Sequence, residues 1–218
     1  LHLYGLSNEE VPNAPVEINT ARDCVFGGVV TGAGAWAKTG AGTLTLTGTN
    51  TASGPVAVGA GALGVANGGC ATLGSVTVAS GATLFGQGQI GGNVSVASNA
   101  TLHAGTANAC GTLHVGGALT LGPGVHLAYR YSASGADTVT VDGALTFPTN
   151  GVLQVSSLTP GLKPPAKDAV FVSSSAINGP DDLSGWTIEG ADNATLKYSA
   201  DRKTIFFSSP RGSILILQ

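Results

Sequence analysis

The middle of this chain carries the same phrase twice. Residues 75–86 read SVTVASGATLFG and residues 93–104 read NVSVASNATLHA, so Val-x-Val-Ala-Ser-x-Ala-Thr-Leu begins at Val76 and again at Val94. A unit this short cannot bury its own Val and Leu, so it must stack on copies of itself. A fixed period of roughly 20 residues therefore points to a solenoid and not to a globular sandwich. The local pattern agrees. In WAKTGAGTLTLTG (36–48), Thr43, Thr45 and Thr47 fall on one face, with Leu44 and Leu46 on the other. Alternation at period two with β-branched residues marks a half-buried strand.

Short strands are expected from 43–47 through 55–58, 62–65, 75–78, 83–85, 93–96, 101–103, 112–115, 118–121, 125–131, 138–141 and 144–147 to 152–155, separated by Gly, Asn or Ser corners. No stretch shows a helical period between caps. Coils at a strand spacing of ~4.8 Å would pair their backbones, and nine or ten of them would give a rod ~45 Å long. Glycine reaches 34 residues without a triplet repeat, as many tight corners require. With aromatics at 6%, the core must be built in thin layers of Val, Leu, Ile and Ala. The expectation is an all-β parallel β-helix with its repeats at 36–156. Residues 1–35 would be an irregular N-terminal arm or partial rung, and 157–218 a β-rich C-terminal cap. In the cap, Pro160, Pro164 and Pro165 interrupt the repeat, and 169–175, 186–190, 195–199, 204–208 and 213–217 read as strands. TLKYSADRKTIFF reads as a hairpin turning at 200–203, and Trp186 with Phe206 or Phe207 would pack on the last rung.

No Asp, Glu, Lys or Arg lies between Lys38 and Arg130, and more than half of the charged residues follow Lys163. Such a body is solvated by Thr, Ser, Asn and backbone, which argues against acid–base chemistry within it. A net charge of −3 offers no basic surface for nucleic acid. No apolar run approaches the ~18 residues needed to span a bilayer as a helix. Methionine is absent and the chain opens at Leu1, which reads as a processed piece of a longer protein.

Few side chains suggest chemistry. Cys24, Cys70 and Cys110 form no CxxC, so free thiols are the leading reading, with a single disulfide as the alternative. His103, His114 and His126 sit beside inward-facing Leu102, Leu113, Val115, Val125 and Leu127, so their rings should point outward. They are read as solvated surface histidines without an acidic neighbour. Arg130, Asp137 and Asp142 are the one charged cluster inside the repeats. The two aspartates there read as corner caps, or alternatively as a pair of catalytic carboxylates. Asp181 and Asp182 follow Gly-Pro and read as turn formers, with calcium as the alternative ligand. GQGQIGG (86–92) lacks the Gly-Lys-Ser/Thr of a phosphate loop and is read as a corner.

WAKTGAGTLTLTGTNTASGPVAV closely resembles the autotransporter-associated β-strand repeat, with its Trp-x-Lys-x-Gly-x-Gly-Thr-Leu-x-Leu-x-Gly-x-Asn pattern. GATLFGQGQIGGNVSVASNATLHAG, GTLHVGGALTL and DTVTVDGALTF are similar to the distal passenger regions of such proteins, so the resemblance covers about 36–155. It implies a right-handed parallel β-helix, displayed at or released from a bacterial surface, whose C-terminal rungs help folding after export. It also implies a translocator β-barrel in the parent protein, and none lies within these residues. The expected role is a non-enzymatic adhesin or stalk without cofactor, metal or catalytic residue. Its partners would be a host or cell-surface glycan or protein, or further rods. The alternatives are a polysaccharide-active β-helix or the passive stalk of an upstream secreted enzyme.

Overall fold

A computed structural model describes residues 6–7, 16–66, 70–71 and 73–210. The described residues contain strands and no helix, and they wind as a right-handed parallel β-solenoid. Three sheets run along it. The first stacks Val16–Asn19, Trp36–Thr39, Val56–Val58, Val76–Val78, Val94–Val96, Leu119–Leu121 and Leu145–Thr146. The second stacks Cys24–Phe26, Thr43–Leu46, Ala62–Val65, Thr83–Gly86, Thr101–Ala104, Val125–Ser132, Gly151–Ser157 and Trp186–Glu189. The third stacks Cys70–Ala71, Gln89–Ile90, Thr112–Val115, Thr138–Val141 and Lys167–Ser173. The expected strand at 213–217 lies outside the described residues, as does the side chain of Cys70.

The register confirms the period and corrects the number of coils. Val16 faces Trp36, Trp36 faces Val56 and Val56 faces Val76, so the step is constant over the first coils. Val76 then faces Val94, the slightly shorter step seen in the repeated phrase. The next partners are Leu119 and Leu145, so the later coils are longer than the earlier ones. The first sheet is therefore seven strands deep, about 30 Å at the usual strand spacing, and not nine or ten rungs. The later coils consume residues in excursions at 105–111, 133–137 and 158–166. All three leave from the same corner, between the second and third sheets.

In-register stacking turns alternation into columns. Leu44, Leu63, Leu84, Leu102, Leu127 and Leu153 lie one above another inside the second sheet, all buried. Each such side chain contributes about 1.5–3 kcal/mol by leaving water. Inside the first sheet, Lys38 stands in a column that runs Ile18, Lys38, Val58, Val78, Val96 and Leu121. A lysine in that place, fully buried, needs hydrogen-bond partners. Its ammonium donates to the carbonyls of Gly40 (2.7 Å), Ala60 (2.8 Å) and Gly42. The corner it ties together is too tight for side chains. Gly40 has φ +78°, and a Cβ on Gly42 would collide with the Arg22 backbone. At the following corner the buried Asn50 accepts from the Val30 N–H (2.9 Å) and donates to the Gly48 carbonyl (3.1 Å). The Lys, Gly and Asn of the repeat motif are thus corner fittings.

The C-terminal end is closed by aromatics and a hairpin. Trp186 stacks on Phe147 (4.6 Å between centroids) and donates through Nε1 to the Pro148 carbonyl. Thr195–Tyr198 and Thr204–Ser208 form the hairpin expected from TLKYSADRKTIFF, and its second strand pairs antiparallel with Lys167–Ser173. Phe207 points inward against Tyr129 (5.3 Å), whereas Phe206 lies under the Lys167 ammonium.

Replacing Lys38 by Met removes three hydrogen bonds at one corner, one of them to the buried Gly42 carbonyl, and Asn50→Ala strands a buried N–H. Expected losses in urea unfolding are about 3 kcal/mol and about 2 kcal/mol, with faster amide exchange confined to the coils spanning 30–66. A Lys38→Met protein as stable as the parent would remove this account of the motif.

Candidate functional site

Chemistry-bearing side chains gather where the second sheet turns into the excursions. One outward row of that sheet reads Gly64, Phe85, His103, Ala128, Gln154 and Glu189, in register across successive strands. The inward neighbours Leu102 and Leu127 are buried, so the histidines do point outward. His103 nevertheless is not a solvated surface residue. Its ring stacks on Phe85 at 5.2 Å and 16°, and on its other side stands Arg130.

Arg130 lies on Val125–Ser132, a strand long enough to overshoot the corner. Its Nε donates to Asp137 Oδ2 at 2.7 Å, and its terminal nitrogens donate to the carbonyls of Ala104 and Thr106. His103 Nδ1 is 3.3 Å from the Arg130 guanidinium and 3.1 Å from the Ala104 carbonyl oxygen. Asp137, 2% exposed, accepts the Gly111 N–H at 3.0 Å through Oδ1. The Cys110 thiol donates to the Arg130 carbonyl at 3.5 Å. One guanidinium and one carboxylate thereby fasten both ends of the 105–111 excursion.

Burial and charge set the titration of the group. His103 is held below its ordinary value, first by burial and also by the Arg130 charge. Burial pushes Asp137 up, while Arg130 and the Gly111 N–H pull the other way. Burial likewise raises the Cys110 thiol, which makes it a poor nucleophile at neutral pH.

Asp142 does not join this cluster, so the expected trio divides. Its carboxylate meets His114 Nε2 at 2.9 Å, and its carbonyl accepts from Ser174 Oγ. His114 therefore has an acidic neighbour where the sequence reading gives it none, supplied from 28 residues away across the third sheet. His126 is exposed. Asp182 accepts from the Ser184 N–H and hydroxyl, as a turn former does, and Asp181 lies 3.7 Å from Arg202. Cys24 and Cys110 are free thiols. Among the described residues no three His, Cys, Asp or Glu side chains converge as metal ligands.

Two concave surfaces adjoin the cluster. A trough of about 250 Å³ on the outer face of the second sheet is lined by Thr101, His126, Ala128, Val152, Gln154 and Glu189. A groove of about 860 Å³ lies between the 132–136 excursion and Leu162, Lys163, Pro164 and Pro165, with Tyr131 and Asp168 at its floor. Tyr131 donates its hydroxyl to the Leu162 carbonyl (3.1 Å), so the two walls are tied together.

Sequence reasoning selects Arg130, Asp137 and the histidines but not the stack on Phe85. The available signal is the register of the repeated phrase, which puts Phe85 and His103 at the same place in successive coils. Arg130→Met leaves Asp137 buried without its partner and should cost about 3–5 kcal/mol in urea unfolding. Asp142→Asn acts on an exposed pair and should change stability by less than about 1 kcal/mol. Equal costs for the two would mean that the buried cluster does not fasten the excursion.

Residues 37–65 match the family model of the passenger-associated-transport-repeat. The match runs from the strand that holds Lys38 through both fitted corners to Val65. No curated protein matches the chain. The repeat and the parallel solenoid together support an autotransporter passenger β-helix, a family whose members are extracellular or surface-displayed.

Proposed function

We propose that this segment is a non-enzymatic passenger stalk with an adhesive outer face, whose C-terminal coils assist folding after export. What supports the reading is the use made of the charged groups within the coils. Lys38 is spent on three carbonyls of a corner, and Arg130 and Asp137 are spent on each other and on an excursion. The one cluster in the sequence that could have supplied paired catalytic carboxylates is thus divided between a buried structural pair and a surface His–Asp contact. One outer column of the first sheet runs Glu17, Ala37, Ala57, Thr77, Ser95, Thr120 and Thr146, and is neutral and small after its first residue. Rigid rows of hydroxyls suit weak multivalent contact with neutral glycans, and the trough on the second sheet adds a concave surface.

A glycan array followed by mass spectrometry of the incubated glycans tests the adhesive role. Retention without new products is the expected result, and retention should weaken at least tenfold in Ala128→Tyr, which fills the trough. Cleaved products would overturn the reading. The folding role has its own test. Trp186→Ala removes an aromatic closure and Leu46→Ala an equally buried side chain near the other end, each at about 3–5 kcal/mol. If the C-terminal coils fold first, Trp186→Ala slows refolding and Leu46→Ala chiefly speeds unfolding. The opposite pattern would place the nucleus at the N-terminal end.

A further inference from the structure

We propose that His103 and Arg130 form an acid-sensitive latch that holds the 105–110 excursion closed when the imidazole is neutral and releases it when the imidazole is protonated. The latch is separate from adhesion and does not rest on it.

The role of Nδ1 depends on where the imidazole carries its proton, and in the closed latch the neutral ring carries it on Nε2. Nδ1 sits 3.3 Å from the guanidinium of Arg130, close enough for a neutral ring to accept from it. The same guanidinium holds the excursion by donating to the carbonyls of Ala104 and Thr106. Protonation converts Nδ1 from an acceptor into a donor and places a second cation against the guanidinium. The Ala104 carbonyl, 3.1 Å from Nδ1, becomes the acceptor for which the two cations compete. Phe85 is stacked on one face of the ring and blocks movement to that side.

The surroundings do not neutralise the added charge. Asp137 is the acidic group behind Arg130, and its Oδ2 already takes the Arg130 Nε while its Oδ1 takes the Gly111 N–H. Asp142 on the third sheet is committed to His114. His126, on the strand that carries Arg130, is a further basic group and brings no negative charge. On the preceding strand, Thr83–Gly86, there is no ionisable residue. The excursion rests directly on the pair: a Cβ added to Gly105 would lie 2.7 Å from the Arg130 guanidinium and would also collide with Asp137. Any shift of the guanidinium therefore moves the loop.

The pH window follows from the direction of the His103 shift. Burial lowers its value in the folded chain below the ordinary 6.5; the hydrogen bond to the Ala104 carbonyl opposes this and the Arg130 charge adds to it. The unfolded chain, and equally the opened excursion, binds the proton more tightly. The closed state is thus fully favoured above pH 6.5 and loses ground as the pH falls below it. Asp137 is held above its ordinary value by burial, and the His103→Gln protein separates its titration from that of the imidazole.

Hydrogen exchange across pH tests the latch. After correction for intrinsic rates, amides of 105–110 should exchange severalfold faster at pH 5.0 than at pH 7.5, because the opened state binds the proton more tightly than the closed one. Amides of the buried strand Val94–Val96 should be unaffected. In His103→Gln, which keeps a neutral acceptor, the excursion should stay closed at both pH values, and His126→Gln should behave as the parent. No acid-dependent opening in the parent would overturn the proposal. Opening that persists in His103→Gln, or disappears in His126→Gln, would overturn it as well.

Discussion

Each coil of this protein depends on the hydrogen-bond ladder it shares with the coils before and after it. A parallel ladder saturates the strands, but it follows the chain only in part around a corner, and the groups it misses need other partners. The corners are therefore where polar side chains must be buried. Lys38 answers this need at one corner with three donated bonds, and Asn50 answers it at the next by accepting and donating at once. The valine and leucine columns follow from the ladder, because a register fixed by corners puts like residues above like. A one-residue slip would turn every inward Leu outward.

The same constraint explains where the chain can vary. The strands of the first sheet tolerate only small changes, since each must match the neighbour above and below. The corner between the second and third sheets is looser, and all the added length enters there. Long excursions expose backbone that nothing in the solenoid satisfies, so they require their own fastenings. Arg130 and Asp137 fasten the first of them. Tyr131, through its bond to Leu162, and Ala133, through its N–H to Thr159 Oγ1 (3.2 Å), fasten the second to the third. Charges reappear in the sequence at Arg130, whose side chain reaches back to fasten the excursion of the preceding coil.

Much of this is legible in the residues alone. The offset of the repeated phrase becomes the pairing of Val76 with Val94 and of Thr83 with Thr101, and the TLTL alternation becomes the buried Leu44 and Leu46. The outward direction of the histidines follows from the same alternation. What cannot be read is the company those rings keep. His103 is withdrawn from water by Phe85, one coil below, and by Arg130, one coil above; His114 meets an aspartate that is remote in sequence. Contacts between coils depend on the length of each coil, and the coil from Val94 to Leu119 is longer than the one from Val76 to Val94. A coil count taken from the repeated phrase is too high for the same reason, since the later coils no longer keep its period.

A solenoid offers few places for a specific surface. Its regular faces repeat every coil and so bind weakly and at many points, which suits adhesion along the rod. Its excursions break the repeat and can be singular. In this chain both kinds of surface meet on the second sheet: the trough at Ala128 lies among regular rows, one position along the same row from His103, and the groove lined by Tyr131 and Pro165 lies among the excursions. His103 thus stands between the periodic and the singular parts of the surface. A change in its charge acts on the excursion through Arg130, while the stacked columns beneath it stay in register.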